Sequence, residues 1–266
     1  MTFKIFNHYK IINGVTDSSL GAVNPFTNFD SEKRIVRFLK NLGFRGVSRK
    51  DLIFADQIHG SSVHLCQKGD SGVIQLGVDA LISNHKGQIL VIKTADCVPI
   101  LIYDPIKKVV AAIHTGRKSL TAGIIKKTIL KMEKNYGTKP ELLLVAIGPH
   151  IRICHYWLKP KSLENLQDTK WSKYFISSKA RKKIPERRRG VLIKKEKIYF
   201  DMTKAAIDEL KIAGVLGKNI EDCGVCTYCQ YQKYYSARKK EENPKIYSEK
   251  LPCFASIIGM PRKNPP

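Results

Sequence analysis

The stretch ILVIKTADCVPILIYDPIKKVVAAIHTGRKSL, residues 89–120, decides the fold class. It holds three short β-rich runs, ILVIK (89–93), PILIY (99–103) and VVAAI (109–113). Their near-continuous apolar character marks buried strands. Asp104-Pro105 turns the chain between the last two, which are therefore expected to be adjacent. Working outward, ELLLVAIG (141–148) reads as another buried strand. Helices are expected over Asp30 to Leu42, Ser119 to Tyr136 and Met202 to Ile212, from apolar residues at helical spacing. Asp30, Ser31 and Asp201 are suited to open them, and Gly43, Gly137 and Gly214 to close them. Strands interleaved with helices, some joined by hairpin-type links, argue for an α/β or α+β domain with a mixed sheet.

Composition narrows the class further. The chain has 266 residues and 43% hydrophobic content, enough for a substantial core and too much for wholesale disorder. No stretch approaches the roughly 20 uninterrupted apolar residues of a membrane span. The most apolar region, Ile89 to Tyr103, is broken by Lys93 and Asp96. The opening MTFKIFNHYK does not read as a signal peptide, so a cytoplasmic protein is expected. Seven cysteines, an odd number, point away from a disulfide framework and towards metal ligation or thiolate chemistry.

The net charge of +24 would attract nucleic acid, anionic membranes or phosphorylated substrates. Much of the surplus lies between Lys170 and Lys197, inside an interval (159–197) that reads as a basic insertion or loop. No recognised nucleic-acid-binding motif accompanies it, so specific nucleic-acid binding is a minor reading. The last residues, 263–266, read as a disordered tail.

Three segments place reactive groups at the ends of apolar runs: His59 in ADQIHG, Asp96 and Cys97 in KTADCVPILI, and His114 in AAIHTGRKSL. Rigid strands that feed loops are where sites are usually built. Two imidazoles and a thiolate suit zinc, with a fourth position open to water or substrate. A rival arrangement uses Cys97 as a thiolate nucleophile and His114 as its base, in a cysteine hydrolase or amidase. That pair has no need of His59, which favours the metal. CGVCTYC (223–229) repeats Cys223, Cys226 and Cys229 at C-x2-C spacing with no adjacent fourth ligand, although Cys253 could fold back. Reduced thiols are the expectation there.

QIHG (57–60), DALISN (79–84), TADCVPILIYDP (94–105), IHTG (113–116), GPHI and CHY within 148–156, and YYSARK (234–239) occur in the order of one family. The chain resembles the YfiH-like, laccase-domain family of purine nucleoside phosphorylases, once described as multicopper polyphenol oxidases. The matching segments run from about residue 50 to 258. The resemblance implies a four-layer α/β/β/α fold of α+β class with mixed sheets, as a single catalytic domain over 1–262. It implies a catalytic zinc, rather than copper, on His59, Cys97 and His114, with Cys97 and His114 as catalytic residues. It also implies phosphorolysis of adenosine, inosine, guanosine and methylthioadenosine, with some adenosine deamination.

Phosphorolysis needs a phosphate pocket, and HTGRKS offers Gly116, a following helix N-terminus and Lys118. Arg238 in YYSARK is the other candidate anion ligand. Several positions depart from the family pattern. Arg117, Lys118 and Ser119 stand for Trp, Arg and Gly; His150 and Arg152 for Cys and Gly; Trp157 for Glu. The chain reads as a divergent member.

Overall fold

The computed structural model describes residues 1–24, 30–178, 197–248 and 252–262. In chain order the strands are β1 (Ile12–Val15), β2 (Leu52–Ala55), β3 (Val63–Leu65), β4 (Ile74–Gln75), β5 (Ala80–Ser83), β6 (Ile89–Thr94), β7 (Val98–Asp104), β8 (Val109–Thr115), β9 (Leu144–Ile147), β10 (Phe175–Ser177), β11 (Ile198–Phe200), β12 (Ile220–Asp222) and β13 (Phe254–Gly259). The helices are α1 (Ser31–Asn41), α2 (Arg117–Thr121), α3 (Ile124–Tyr136), α4 (Pro160–Glu164), α5 (Met202–Ile212) and α6 (Ala237–Glu242).

Two mixed sheets carry the fold. One runs β1-β13-β6-β2-β4 and the other β12-β9-β7-β8-β5-β3. The apolar runs of residues 89–113 are split between them, because each strand is covered on both faces. Ile89 and Val91 of β6 point to α1, meeting Ile35 and Leu39, while Leu90 and Ile92 point to the other sheet. There they meet Leu101, Tyr103, Val110 and Ala112. The alternate residues Ile100, Ile102, Ala111 and Ile113 face Ile125, Ile129 and Met132 of α3 and Leu210 of α5. Side-chain alternation along a strand thus produces the expected α/β/β/α stack.

The β7–β8 hairpin forms as expected, with Ile102 opposite Ala111 and Tyr103 opposite Val110. Asp104 Oδ1 accepts the N–H groups of Ile106 and Lys107, so its side chain builds the turn. Asp201 caps α5 by accepting the Lys204 N–H.

Two expected elements differ. The helix expected from Ser119 to Tyr136 is two helices, starting two residues earlier and broken at Gly123, whose φ of 79° is left-handed. The strand expected over 141–148 contracts to β9, because Pro140–Leu142 forms a 3-10 turn.

The ends of the basic interval are built into the fold. Trp171 and Tyr174 are buried in the core beside α5, and β10 pairs with β11. The Lys170 amine donates to Glu209 at 2.7 Å and lies over the Trp171 ring. Most of the basic run, at 179–196, and the tail at 263–266 lie outside the described residues. Among the described residues no helix is long and apolar enough to cross a membrane.

Candidate metal centre

Two chain crossings and one strand end meet at one end of the stacked sheets. His59 lies between β2 and β3, which belong to different sheets. Cys97 lies between β6 and β7, another crossing, and His114 is the penultimate residue of β8. Gln57, His59 and Asp96 all take positive φ values, 68°, 60° and 91°. Such conformations cost roughly 1–3 kcal/mol each and persist where surrounding contacts over-determine them. Here those contacts are visible. Gln57 closes a pair of hydrogen bonds with the backbone of Lys93, and Asp79 accepts the His59 and Gly60 N–H groups at 3.0 and 2.7 Å.

The result is a close triad of soft ligands. One ligand atom from each of His59, Cys97 and His114 lies within 4.8 Å of the others. Cys97 Sγ is 3.6 Å from His59 Nε2. Tetrahedral zinc, with bonds of about 2.3 Å to sulfur and 2.0 Å to nitrogen, sets its ligand sulfur and nitrogen about 3.5 Å apart. His114 Nδ1 lies 2.7 Å from the buried Asp79 carboxylate, which orients the ring and leaves Nε2 for a metal. Burial, with His114 beside it, holds His59 below its ordinary value and so favours the neutral ring that ligates. Gly116 closes the floor: a Cβ there would stand 2.8 Å from His59 Cδ2 and 3.2 Å from Cys97 Sγ. The residues present fit a three-ligand zinc site.

This triad lies in the wall of a cavity of about 570 Å³, a volume typical of small-molecule sites. Tyr156, Lys93, Lys159 and Arg238 also line it. The Arg238 guanidinium lies 4.4 Å over Trp157 and gives Nη2 to the Trp157 carbonyl at 3.1 Å. Its Nη1 is buried with no hydrogen-bond partner among the described residues. Asp96 ties the floor to the far wall by accepting from Thr227 Oγ1, Ser236 Oγ and the Arg238 N–H.

The family model described as Multi-copper polyphenol oxidoreductase laccase matches residues 12–246. The chain belongs to this family. Members similar to it include a purine nucleoside phosphorylase of Bacteroides thetaiotaomicron, 30% identical over 85% of this chain and 83% of that protein. Another, from Clostridium acetobutylicum, is 31% identical over 71% of this chain and 72% of its own length. Among solved structures, YfiH of Bacillus licheniformis superposes with a TM-score of 0.76 at 21% identity, covering 97% of this chain and 95% of that one. YlmD of Geobacillus stearothermophilus gives 0.75 at 21% identity over 98% and 94%. Both share the family's four-layer architecture with this chain.

Of the residues singled out in the sequence, His59, Cys97, His114 and Arg238 reach the cavity wall, while Lys118 is exposed on α2 and outside the lining. Asp79, Lys93, Tyr156 and Lys159 escaped sequence reading as site residues. Asp79 opens the DALISN segment, but only the β5–β8 register, with Ala80 opposite Ile113, carries it opposite His114. Lys93 breaks an apolar strand, and burial holds its amine below the ordinary value.

The cysteines of CGVCTYC are free thiols, as expected, but the three do not share one site. Cys223 packs against the inter-sheet core and Cys253 lines the main cavity. Cys226 and Cys229 lie instead with Cys154 and His155.

Proposed function

We propose that the protein is a zinc-dependent purine nucleoside phosphorylase, taking adenosine, inosine, guanosine or methylthioadenosine with inorganic phosphate. The observation that carries this reading is the meeting of His59, Cys97 and His114 in the wall of a cavity that also holds Arg238. The names of the relatives support the substrate class. His59, Cys97 and His114 would hold the zinc, which when bound supplies a Lewis acid to polarise substrate oxygen or nitrogen.

The remaining work falls to this chain's own groups. Phosphorolysis joins a phosphate oxygen to ribose C1′ and breaks the bond from C1′ to the purine nitrogen, whose electron pair leaves with the base. Arg238 would bind the phosphate: its guanidinium belongs to the cavity wall and is held there by the Nη2 hydrogen bond to the Trp157 carbonyl. Lys159 and Arg238 both face Glu241, which lines the same wall, so the three side chains together carry one net positive charge. Arg238 is better placed for this than Lys118, which adds only field from the rim. Tyr156, pushed up to about 12 chiefly by burial, stays a neutral phenol able to donate to the substrate.

A Cys97–His114 thiol dyad is less well supported. The imidazole hydrogen-bonded to the Cys97 sulfur is that of His59, and among the described residues no hydrogen bond joins that sulfur to His114. Burial, with Asp96 nearby, pushes the Cys97 thiol up to about 12, far from the thiolate a nucleophile needs without a cation.

The test is incubation of the zinc-loaded protein with adenosine, inosine and methylthioadenosine, with and without phosphate. Free base and ribose 1-phosphate are expected only when phosphate is present. Base released equally without phosphate overturns phosphorolysis, and inosine formed from adenosine reports the deaminase activity.

A further inference from the structure

A second cluster of soft ligands lies outside the cavity lining. Cys154 and His155 sit in the turn after β9, and Cys226 and Cys229 in the loop after β12. One ligand atom from each of the four lies within 4.8 Å of the others. Cys154 Sγ is 3.4 Å from Cys226 Sγ and 3.8 Å from Cys229 Sγ, and Cys229 Sγ is 3.4 Å from His155 Nδ1. Tetrahedral zinc sets two sulfur ligands about 3.8 Å apart, and sulfur and nitrogen about 3.5 Å apart. The spacings match that frame, and both cysteine pairs are too far apart for an S–S bond of about 2.05 Å.

We propose that Cys154, His155, Cys226 and Cys229 form a structural zinc site that clamps the 150–157 loop to the 223–236 loop.

Its surroundings suit a bound metal. The His155 ring is stacked on Tyr228 at 4.0 Å and 14°, which fixes the plane that directs Nδ1 at Cys229. Four protein ligands complete the coordination of zinc, so this site is closed, whereas the His59 triad leaves a position open. A closed site contributes folding energy rather than chemistry.

The clamp has something to hold. The 150–157 loop carries Tyr156 and Trp157, and the chain that continues from Cys229 carries Arg238. Backbone bonds at one point, His150 N–H to Val225 and Thr227 N–H to His150, already join the two loops. Zinc beside this contact would fix the wall on which Arg238 stacks.

The inference stands apart from the proposed activity and is tested by metal counting on the full chain. Purified protein should carry two zinc ions per chain, Cys97→Ala one, Cys229→Ser one, and the double variant none. Cobalt loaded into Cys97→Ala should give the intense sulfur-to-cobalt charge-transfer bands of a three-thiolate tetrahedral site. This variant keeps the whole cluster, so the measurement survives a misfolded Cys229→Ser. A Cys97→Ala protein that holds no zinc and shows no such bands overturns the proposal. One zinc in the native chain that persists in Cys97→Ala would remove the His59 triad as a zinc site and leave the clamp standing.

Discussion

Asp79 Oδ1 lies 2.7 Å from Nδ1 of His114, with both side chains buried. The same carboxylate accepts the His59 and Gly60 N–H groups, so one residue positions two of the three candidate ligands. Asp79→Asn keeps the shape but gives the His114 ring an amide that can turn a donor towards it, which disfavours the tautomer with a free Nε2. Loss of such a carboxylate partner typically costs 10–100-fold in metal affinity. Chelator competition on Cys154→Ser/Cys229→Ser protein, where the second cluster no longer contributes, should show a drop of roughly that size. Unchanged affinity would mean that Asp79 only holds the loop.

Gly116→Ala tests the same centre from the floor. The new methyl would meet His59 Cδ2 at 2.8 Å and Cys97 Sγ at 3.2 Å, so a ligand must move. Gly69, with open space around its would-be Cβ, supplies the control. Gly116→Ala should lose retained zinc after gel filtration while Gly69→Ala keeps it.

Arg238→Ala should raise the phosphate KM by roughly 10–100-fold, the worth of one charge-assisted hydrogen bond of about 1.5–3 kcal/mol. Arg238→Lys should recover little, because a lysine cannot both hold the Trp157 carbonyl and present a second donor in the plane of the ring stack. Nucleoside KM is expected to change less than phosphate KM.

How far these relations were legible differs by residue. The buried strands of residues 89–113 were readable because their runs are almost wholly apolar, but only alternation in three dimensions shows that Leu90 and Leu101 share one layer while Ile100 faces a helix. His59, Cys97 and His114 stood out as soft ligands at strand ends. Asp79 did not, since its role depends on strand register. The Cys154 and His155 partners of Cys226 are more than 70 positions away in sequence, a separation that no spacing rule spans. The break at Gly123 was hidden because the apolar residues keep helical spacing on either side of it.

That break carries its own prediction. Gly123 has φ 79° and open space around its Cβ position, so Gly123→Ala suffers from backbone conformation and not from collision. A non-glycine residue in the left-handed region costs about 1–2 kcal/mol. The thermal midpoint should fall by a few degrees, about 2–4 °C per kcal/mol for a domain of this size. A higher midpoint would show that the two helices can fuse into the single one that the periodicity suggests.

Arg152 and Asp222 join the 150s loop to β12 through two parallel hydrogen bonds of 2.9 and 2.7 Å. Burial pushes the Asp222 carboxyl up, but the Arg152 fork and the Gly224 N–H outweigh it and hold the group below its ordinary value. A carboxyl depressed in the folded state gives stability that is present above the unfolded pKa, near 4, and lost as pH falls through the folded value. Asp222→Asn should therefore be less stable than the native chain by about 1–2 kcal/mol at pH 7, and the gap should close as the pH is lowered below about 4. Urea unfolding at pH 7, 5 and 3 measures it. A gap that stays constant across that range would show that the pair contributes packing and not charge.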